Sequence, residues 1–119
     1  MTETSDLLLQ GVRIVEIAHP LTEHAGRLFA GLGAEVLLIE PPGGASTRHR
    51  LPNVPGADES DRASIPFLAR NANKHSIVVD PTNGRDSDVL AGLVARSHLV
   101  LDADSSPYNH VLANIEGIA

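Results

Sequence analysis

Leu8-Leu-Gln-Gly-Val-Arg-Ile-Val-Glu-Ile17, followed by Leu32-Gly-Ala-Glu-Val-Leu-Leu-Ile-Glu-Pro-Pro-Gly-Gly44, decides the fold. Each stretch holds a short aliphatic run, at 12–17 and 36–39, and the second closes on an acid, Glu40, before Pro and Gly break the chain. Between the runs, Ala25, Leu28, Phe29 and Leu32 fall at helical spacing, which predicts a helix over 22–32 with that face inward. Thr22 is expected to cap its first turn, and Glu23 to sit at the favourable end of its dipole. Gly33 is the expected left-handed residue that turns helix into strand. The reading is strand, helix, strand.

The pattern recurs downstream. Residues 77–79 and 99–101, like 36–39, are nearly unbroken aliphatics, as expected of strands buried on both faces. A helix is predicted over 85–96, with Val89, Leu90, Leu93 and Val94 on one face, Asp86 and Asp88 near its start and Arg96 near its end. Gly92 marks either a close approach to a strand or a tolerated weakness of about 1 kcal/mol relative to Ala. Two crossover units of this kind predict an α/β fold, a Rossmann-like open parallel sheet of about four strands with flanking helices. Residues 1–119 read as a single domain. Within it, 41–63 reads as a long loop of the kind that often carries function, and 104–119 as an irregular tail with room for one short helix at 108–115.

Composition narrows the function. A chain of 119 residues builds one small core, and 42% hydrophobic with 20% charged residues is ordinary for a globular domain. The net charge of −6 leaves no basic stripe, and Phe29, Phe67 and Tyr108 are the whole aromatic complement, so neither phosphate neutralisation nor base stacking is provided for. No nucleic-acid partner is expected. The absence of Cys excludes disulfides and thiolate metal sites. No apolar run approaches the roughly 20 residues of a membrane span, and residues 1–6 are polar and acidic, unlike a signal peptide. The expected location is cytoplasmic, with no membrane partner.

Open α/β sheets bind ligands beyond the carboxyl ends of their strands. Those ends are Ala18-His19-Pro20, Glu40 to Gly44, Asp80-Pro81 and Asp102-Ala103-Asp104. The Gly-x-Gly-x-x-Gly turn of a dinucleotide site is missing, since Ala18 to His24 contains no glycine. Glu40 stands where a ribose-binding acid would, but an acid at a strand end is common. His19, His24, His49, His75, His98 and His110 show no zinc-ligand spacing, so scattered solvated histidines and no metal are expected. Ser46, Ser76 and Ser87 lack a nucleophile-elbow context. Arg48, His49, Arg50, Arg62, Arg70 and Lys74 gather on and after the long loop. Two readings of them stay open, an anionic-ligand site and a solvated loop.

Four landmarks in order, Leu9-x-Gly-Val-Arg-Ile-Val-Glu16, Leu32-Gly-Ala-Glu-Val-x-x-Ile-Glu-Pro-Pro-Gly-Gly44, Asn71-x-Asn-Lys-x-Ser-Ile-x-x-Asp80 and Leu93-Val-Ala-Arg-Ser-His-Leu-Val-Leu101, resemble the N-terminal region of the class III coenzyme A transferases. That family includes formyl-CoA and carnitine CoA-transferases and is related to α-methylacyl-CoA racemase. The resemblance implies the half that holds the adenine and pyrophosphate of CoA. It implies CoA or its thioester as substrate, no metal, and an acyl group passed through an anhydride on an aspartate further along a much longer, dimeric chain. It carries over Ala18, His19, Asn73 and Lys74 as cofactor-side contacts and no catalytic residue.

This chain departs from the pattern at Leu21-Thr22-Glu23, where the family has Ala-Gly-Pro. It departs again at Asp102 to Pro107 and at Leu112, where phosphate-binding cations are expected. The implied protein is a truncated or split transferase or racemase relative that is inactive alone and completed by a partner chain. The alternative is a non-catalytic interaction module that kept the fold and lost the ligand. A sheet of four strands with two helices also leaves aliphatic surface to cover, so self-association or a partner is expected.

Overall fold

The computed structural model describes residues 6–56, 64–103 and 106–113. Its elements are β1 (Arg13–Ile17), α1 (Glu23–Gly31), β2 (Glu35–Glu40), a 3₁₀ turn (Ser46–His49), α2 (Ile65–Arg70), β3 (His75–Val78), α3 (Gly84–Ala95), β4 (Leu99–Leu101) and α4 (Asn109–Leu112). The strands form a four-stranded sheet in the order β3-β2-β1-β4, and every pairing is parallel. The chain steps outward from β1 to β2 to β3, then crosses back to β4 on the other side of β1. That reversal makes the carboxyl ends of β1 and β4 the topological switch point, the crevice at which open α/β sheets bind ligands.

Strand alternation sorts the core into two faces. Val15, Ile17, Ile39 and Val79 pack with Leu90 and Val94 of α3 and with Tyr108, Val111 and Leu112. On the other face Ile14 and Val36 meet Ala30 and Ala34, and Leu38 meets Ala45 and Phe67. The central strands β1 and β2 are therefore buried on both sides, as expected of 36–39, while the same expectation for 77–79 and 99–101 fails. The outer strands are not: Val78 is 58% and Leu99 is 41% exposed, because each lies on an edge strand.

Helix α1 turns a different face inward from the one its leucines suggested. Leu28 and Leu32 are exposed, while Gly26 and Ala30 lie against the sheet. The reason is Glu16, which points from β1 into the helix: a Cβ on Gly26 would stand 1.8 Å from Glu16 Oε1. Only glycine admits that contact, and it fixes the helix's rotation. Thr22 precedes the helix but makes no side-chain cap, since its hydroxyl is turned to Glu16, Ile17 and His19. Gly33 has φ +103° and makes the expected left-handed turn.

Helix α2 falls just after the predicted loop and was missed. Its signals are plain in retrospect: Ser64 Oγ accepts from the Phe67 amide at 3.2 Å, and Pro66 sits in the first turn. Residues 46–49 also form a turn inside the predicted loop, whereas 57–63 lie outside the described residues. Asn83 caps α3 by accepting from the Asp86 amide at 3.1 Å. Val89 of that helix faces outward, and a Cβ on Gly92 would meet only the tip of Arg96 at 3.7 Å, so Gly92 marks no close approach. The chain then returns under the sheet, where the Tyr108 hydroxyl donates to the Val79 carbonyl at 2.7 Å.

Candidate functional site

Three carboxylates on the α1 side of the sheet organise the site, and each is met by a cation from the connection between β2 and β3. Glu40 ends β2. Its Oε1 accepts from Arg48 Nε at 2.6 Å and from the Ala45 amide at 2.8 Å, and its Oε2 from Arg48 Nη2 at 2.7 Å and from Ser76 Oγ. The Arg48 guanidinium also lies 4.2 Å over the Phe67 ring. Burial works against the charged carboxylate, but the bonds from Arg48, Ser76 and Ala45 outweigh it and hold the Glu40 pKa below the ordinary value. Glu40 is thus fully engaged by its own chain, which removes it as a ribose-binding acid.

Glu23 opens α1 and is buried. Its Oε2 accepts from Asn71 Nδ2 at 3.0 Å, and its Oε1 lies 3.4 Å from Arg50 Nη1. Glu16, in the middle of the sheet, has its Oε1 2.8 Å from Lys74 Nζ. That contact is ionic and makes no well-aligned hydrogen bond to Oε1. Lys74 Nζ donates instead to Asn71 Oδ1 at 2.8 Å and to the Glu23 carbonyl at 3.0 Å. Desolvation dominates at Glu16 and raises its pKa, although Lys74 and Thr22 oppose the rise.

The basic cluster is therefore neither a solvated loop nor a free anionic-ligand site. Arg48, Arg50 and Lys74 are committed to Glu40, Glu23 and Glu16, and together they fasten the long connection to the sheet. Arg70 is exposed at the end of α2, and Arg62 lies outside the described residues. Glu16, Glu23 and Asn71 were not expected as site residues from the sequence. The usable signal was a lone charge, Glu16, at a position whose strand neighbours are all aliphatic.

The predicted contacts fall in two places. Ala18 and His19 follow β1 at the crevice. The Ala18 amide donates to the Ile39 carbonyl at 2.9 Å, and its side chain packs on Leu38, Ala45 and Phe67. His19 Nδ1 accepts from the Leu21 amide at 3.0 Å, which leaves Nε2 to carry the proton in the neutral ring. Asn73 and Lys74 precede β3. Asn73 is exposed with φ +69°, a conformation Asn tolerates, whereas the Lys74 side chain is only 1% exposed.

A polar path joins the two places. Thr22 Oγ1 lies 3.2 Å from Glu16 Oε2 and 3.0 Å from the His19 carbonyl, so Lys74 reaches the β1 loop through Glu16 and Thr22. On the far side of the crevice Asp102 is exposed, Leu112 is buried, and Asp104 lies outside the described residues. Among the described residues no group of three or more His, Asp or Glu gathers as a metal site, and no helix is long and apolar enough to cross a membrane.

Known proteins match this arrangement over most of its length. The chain is 41% identical over 81 residues to the probable CoA-transferase Rv1866 of Mycobacterium tuberculosis, covering 68% of this chain and 10% of that one. It is 33% identical over 95 residues to the formyl-CoA:oxalate CoA-transferase of Streptomyces coelicolor, covering 79% of this chain and 22% of the other. Among solved structures, a CAIB/BAIF family protein from Brucella suis superposes with a TM-score of 0.70 at 25% identity, over 88% of this chain and 31% of that one. This chain thus spans only a tenth to a third of the relatives it matches. The profile of CoA-transferase family III matches residues 9–108, and the chain belongs to that family.

Proposed function

We propose that this chain is the CoA-side half of a split or truncated acyl-CoA transferase or racemase relative. It binds a CoA thioester at the crevice between β1 and β4 and takes its attacking carboxylate from outside these 119 residues. The observation that carries the reading is His19. It stands at the β1 side of the crevice with Nδ1 occupied by the Leu21 amide, so its Nε2–H is a donor set for a carbonyl or phosphate oxygen. Ala18 beside it offers a small side chain against which a ligand can lie close. Asn73 and Lys74 belong to the cofactor side in this reading. Lys74 acts through Glu16 and Thr22 on the backbone of His19, and Asn73 supplies an exposed amide.

Transfer itself needs a nucleophilic carboxylate to attack the thioester carbon, forming an anhydride and expelling the CoA thiolate. Glu16, Glu23 and Glu40 are buried against cations of their own chain and do not serve. In this reading the chain alone has no turnover, and it works in the cytoplasm beside the protein that completes it.

A second reading has its own support. The described cations of the long connection other than Arg70 are neutralised internally, and the residue that follows β4 is an acid, Asp102, which suits an interaction module that has lost its nucleotide. Calorimetric titration of CoA separates the two. Binding tighter than about 1 mM, roughly −4 kcal/mol, supports the first, and no binding at that level supports the second. Acyl transfer by the purified chain alone would sink both.

A further inference from the structure

The Thr22 hydroxyl has one hydrogen and three oxygens in reach of it: Glu16 Oε2 at 3.2 Å, the Ile17 carbonyl at 3.0 Å and the His19 carbonyl at 3.0 Å. One hydrogen cannot serve all three well. We propose that Thr22 positions His19, and that protonation of Glu16 turns the Thr22 hydrogen onto the β1 loop.

A charged Glu16 is the strongest of the three acceptors, since a hydrogen bond to an ionised oxygen is roughly twice as strong as a neutral one. It draws the hydrogen and leaves both carbonyls without the hydroxyl. In the neutral acid the proton sits on Oε2, because Oε1 faces Lys74 Nζ, itself a donor, at 2.8 Å. Glu16 then donates to Thr22 Oγ1, and the Thr22 hydrogen is free for the Ile17 or His19 carbonyl. The chain of bonds so formed ends on the loop that carries His19. That loop is otherwise closed by the Thr22 amide on the His19 carbonyl and the Leu21 amide on His19 Nδ1, both at 3.0 Å.

The charged groups around Glu16 oppose one another. Lys74, ahead of β3, favours the carboxylate, whereas Glu23 of α1 opposes it and is itself paired with Arg50. The strand neighbours Leu38 and Leu101 are apolar, and Glu40, further along β2, is held by Arg48. Desolvation outweighs Lys74 and moves the Glu16 transition up toward neutral pH.

The inference rests on the reading of the crevice as a CoA site, so a measurement without ligand accompanies the titration. CoA affinity by calorimetry, and amide hydrogen exchange of the free chain, are followed from about pH 4.5 to about pH 8. In the wild-type chain the affinity should fall about three- to tenfold as Glu16 ionises, the worth of one neutral hydrogen bond, and protection of the Leu21 and Thr22 amides should fall with it. Glu16→Gln should keep the acid-side values throughout, its amide oxygen toward Lys74 and its NH₂ toward Thr22. Protonation of His19 and of CoA is common to both proteins, so their difference isolates Glu16. Thr22→Val should hold protection at the low value at every pH, and Thr22→Ser should restore the step. Should the valine variant fail to fold, Glu16→Gln still decides. Equal amide protection in wild type and Glu16→Gln at every pH overturns the inference, whether or not CoA binds, and so does CoA binding with the same pH dependence in both. A protection step that Glu16→Gln abolishes, with no CoA binding, supports the positioning and overturns the CoA reading alone.

Discussion

Lys74 Nζ and Glu16 Oε1 stand 2.8 Å apart, with the lysine side chain 1% exposed and the glutamate fully buried. The pair lies under α1 and joins β1 to the segment entering β3. Removing one partner of such a pair leaves an uncompensated charge in the interior, which typically costs about 3–5 kcal/mol. Lys74→Met should therefore lower stability by that order in urea unfolding at neutral pH. The loss should shrink in acid, where Glu16 without its cation takes up a proton. A loss independent of pH would mean that packing, not charge, is what Lys74 contributes.

The Glu16 and Glu40 pKa values move in opposite directions, so they shape the pH profile differently. For Glu16 the folded pKa is raised above 4.5, so its contribution is present below the unfolded value and lost as pH rises through the folded one. For Glu40 the folded pKa is lowered, so its contribution is present above 4.5 and lost as pH falls through the folded value. Glu40→Gln should cost about 1.5–3 kcal/mol at neutral pH, the usual worth of hydrogen bonds to a charged group, and far less near pH 3. Glu16→Gln should instead flatten the decline above pH 5. Chemical unfolding across that range reads both slopes.

Gly26→Ala should destabilise, although alanine is the better helix former by about 1 kcal/mol. The new methyl would fall 1.8 Å from Glu16 Oε1 and 2.8 Å from its Cδ, so the buried carboxylate would have to leave its place beside Lys74. A net loss of about 1–3 kcal/mol is expected, the range for overpacking a filled interior. An unchanged or raised melting temperature would show that α1 is not pressed onto Glu16.

Tyr108 is the single tyrosine of the chain, so its ionisation can be followed without overlap. Burial, aided by the nearby Asp80, Glu40 and Asp86, pushes its pKa up to about 12. Ultraviolet titration should show no phenolate near pH 10, with the rise delayed toward pH 12 or arriving with unfolding. The sign agrees: a raised folded pKa stabilises below the unfolded value of about 10 and loses that contribution as pH climbs. Tyr108→Phe should cost about 1–2 kcal/mol through the unpaired Val79 carbonyl.

His19→Phe tests the crevice. If the Nε2–H donates to CoA, the affinity should fall about tenfold, the worth of one hydrogen bond of about 1.4 kcal/mol. Stability should move much less, since the ring is only half-buried and, among the described residues, its hydrogen bond is to the Leu21 amide. Equal affinity in the two proteins would place the ligand elsewhere.

What the sequence determined by itself is local. The four aliphatic runs became the four strands, Gly33 made its left-handed turn, and the absence of a glycine-rich loop after β1 already argued against a dinucleotide site. These follow from backbone preference and short-range spacing, which neighbouring residues alone decide. The tertiary structure decided the partners of charge. Lys74 finds Glu16 across 58 positions and Asn71 finds Glu23 across 48, and no local pattern encodes such meetings. It also decided which face of α1 is buried, because a carboxylate reaching out of β1 outweighs the two leucines that periodicity had turned inward. Burial of an ion is costly enough to dictate what packs around it, and where that ion's partner lies is known only once the chain has closed.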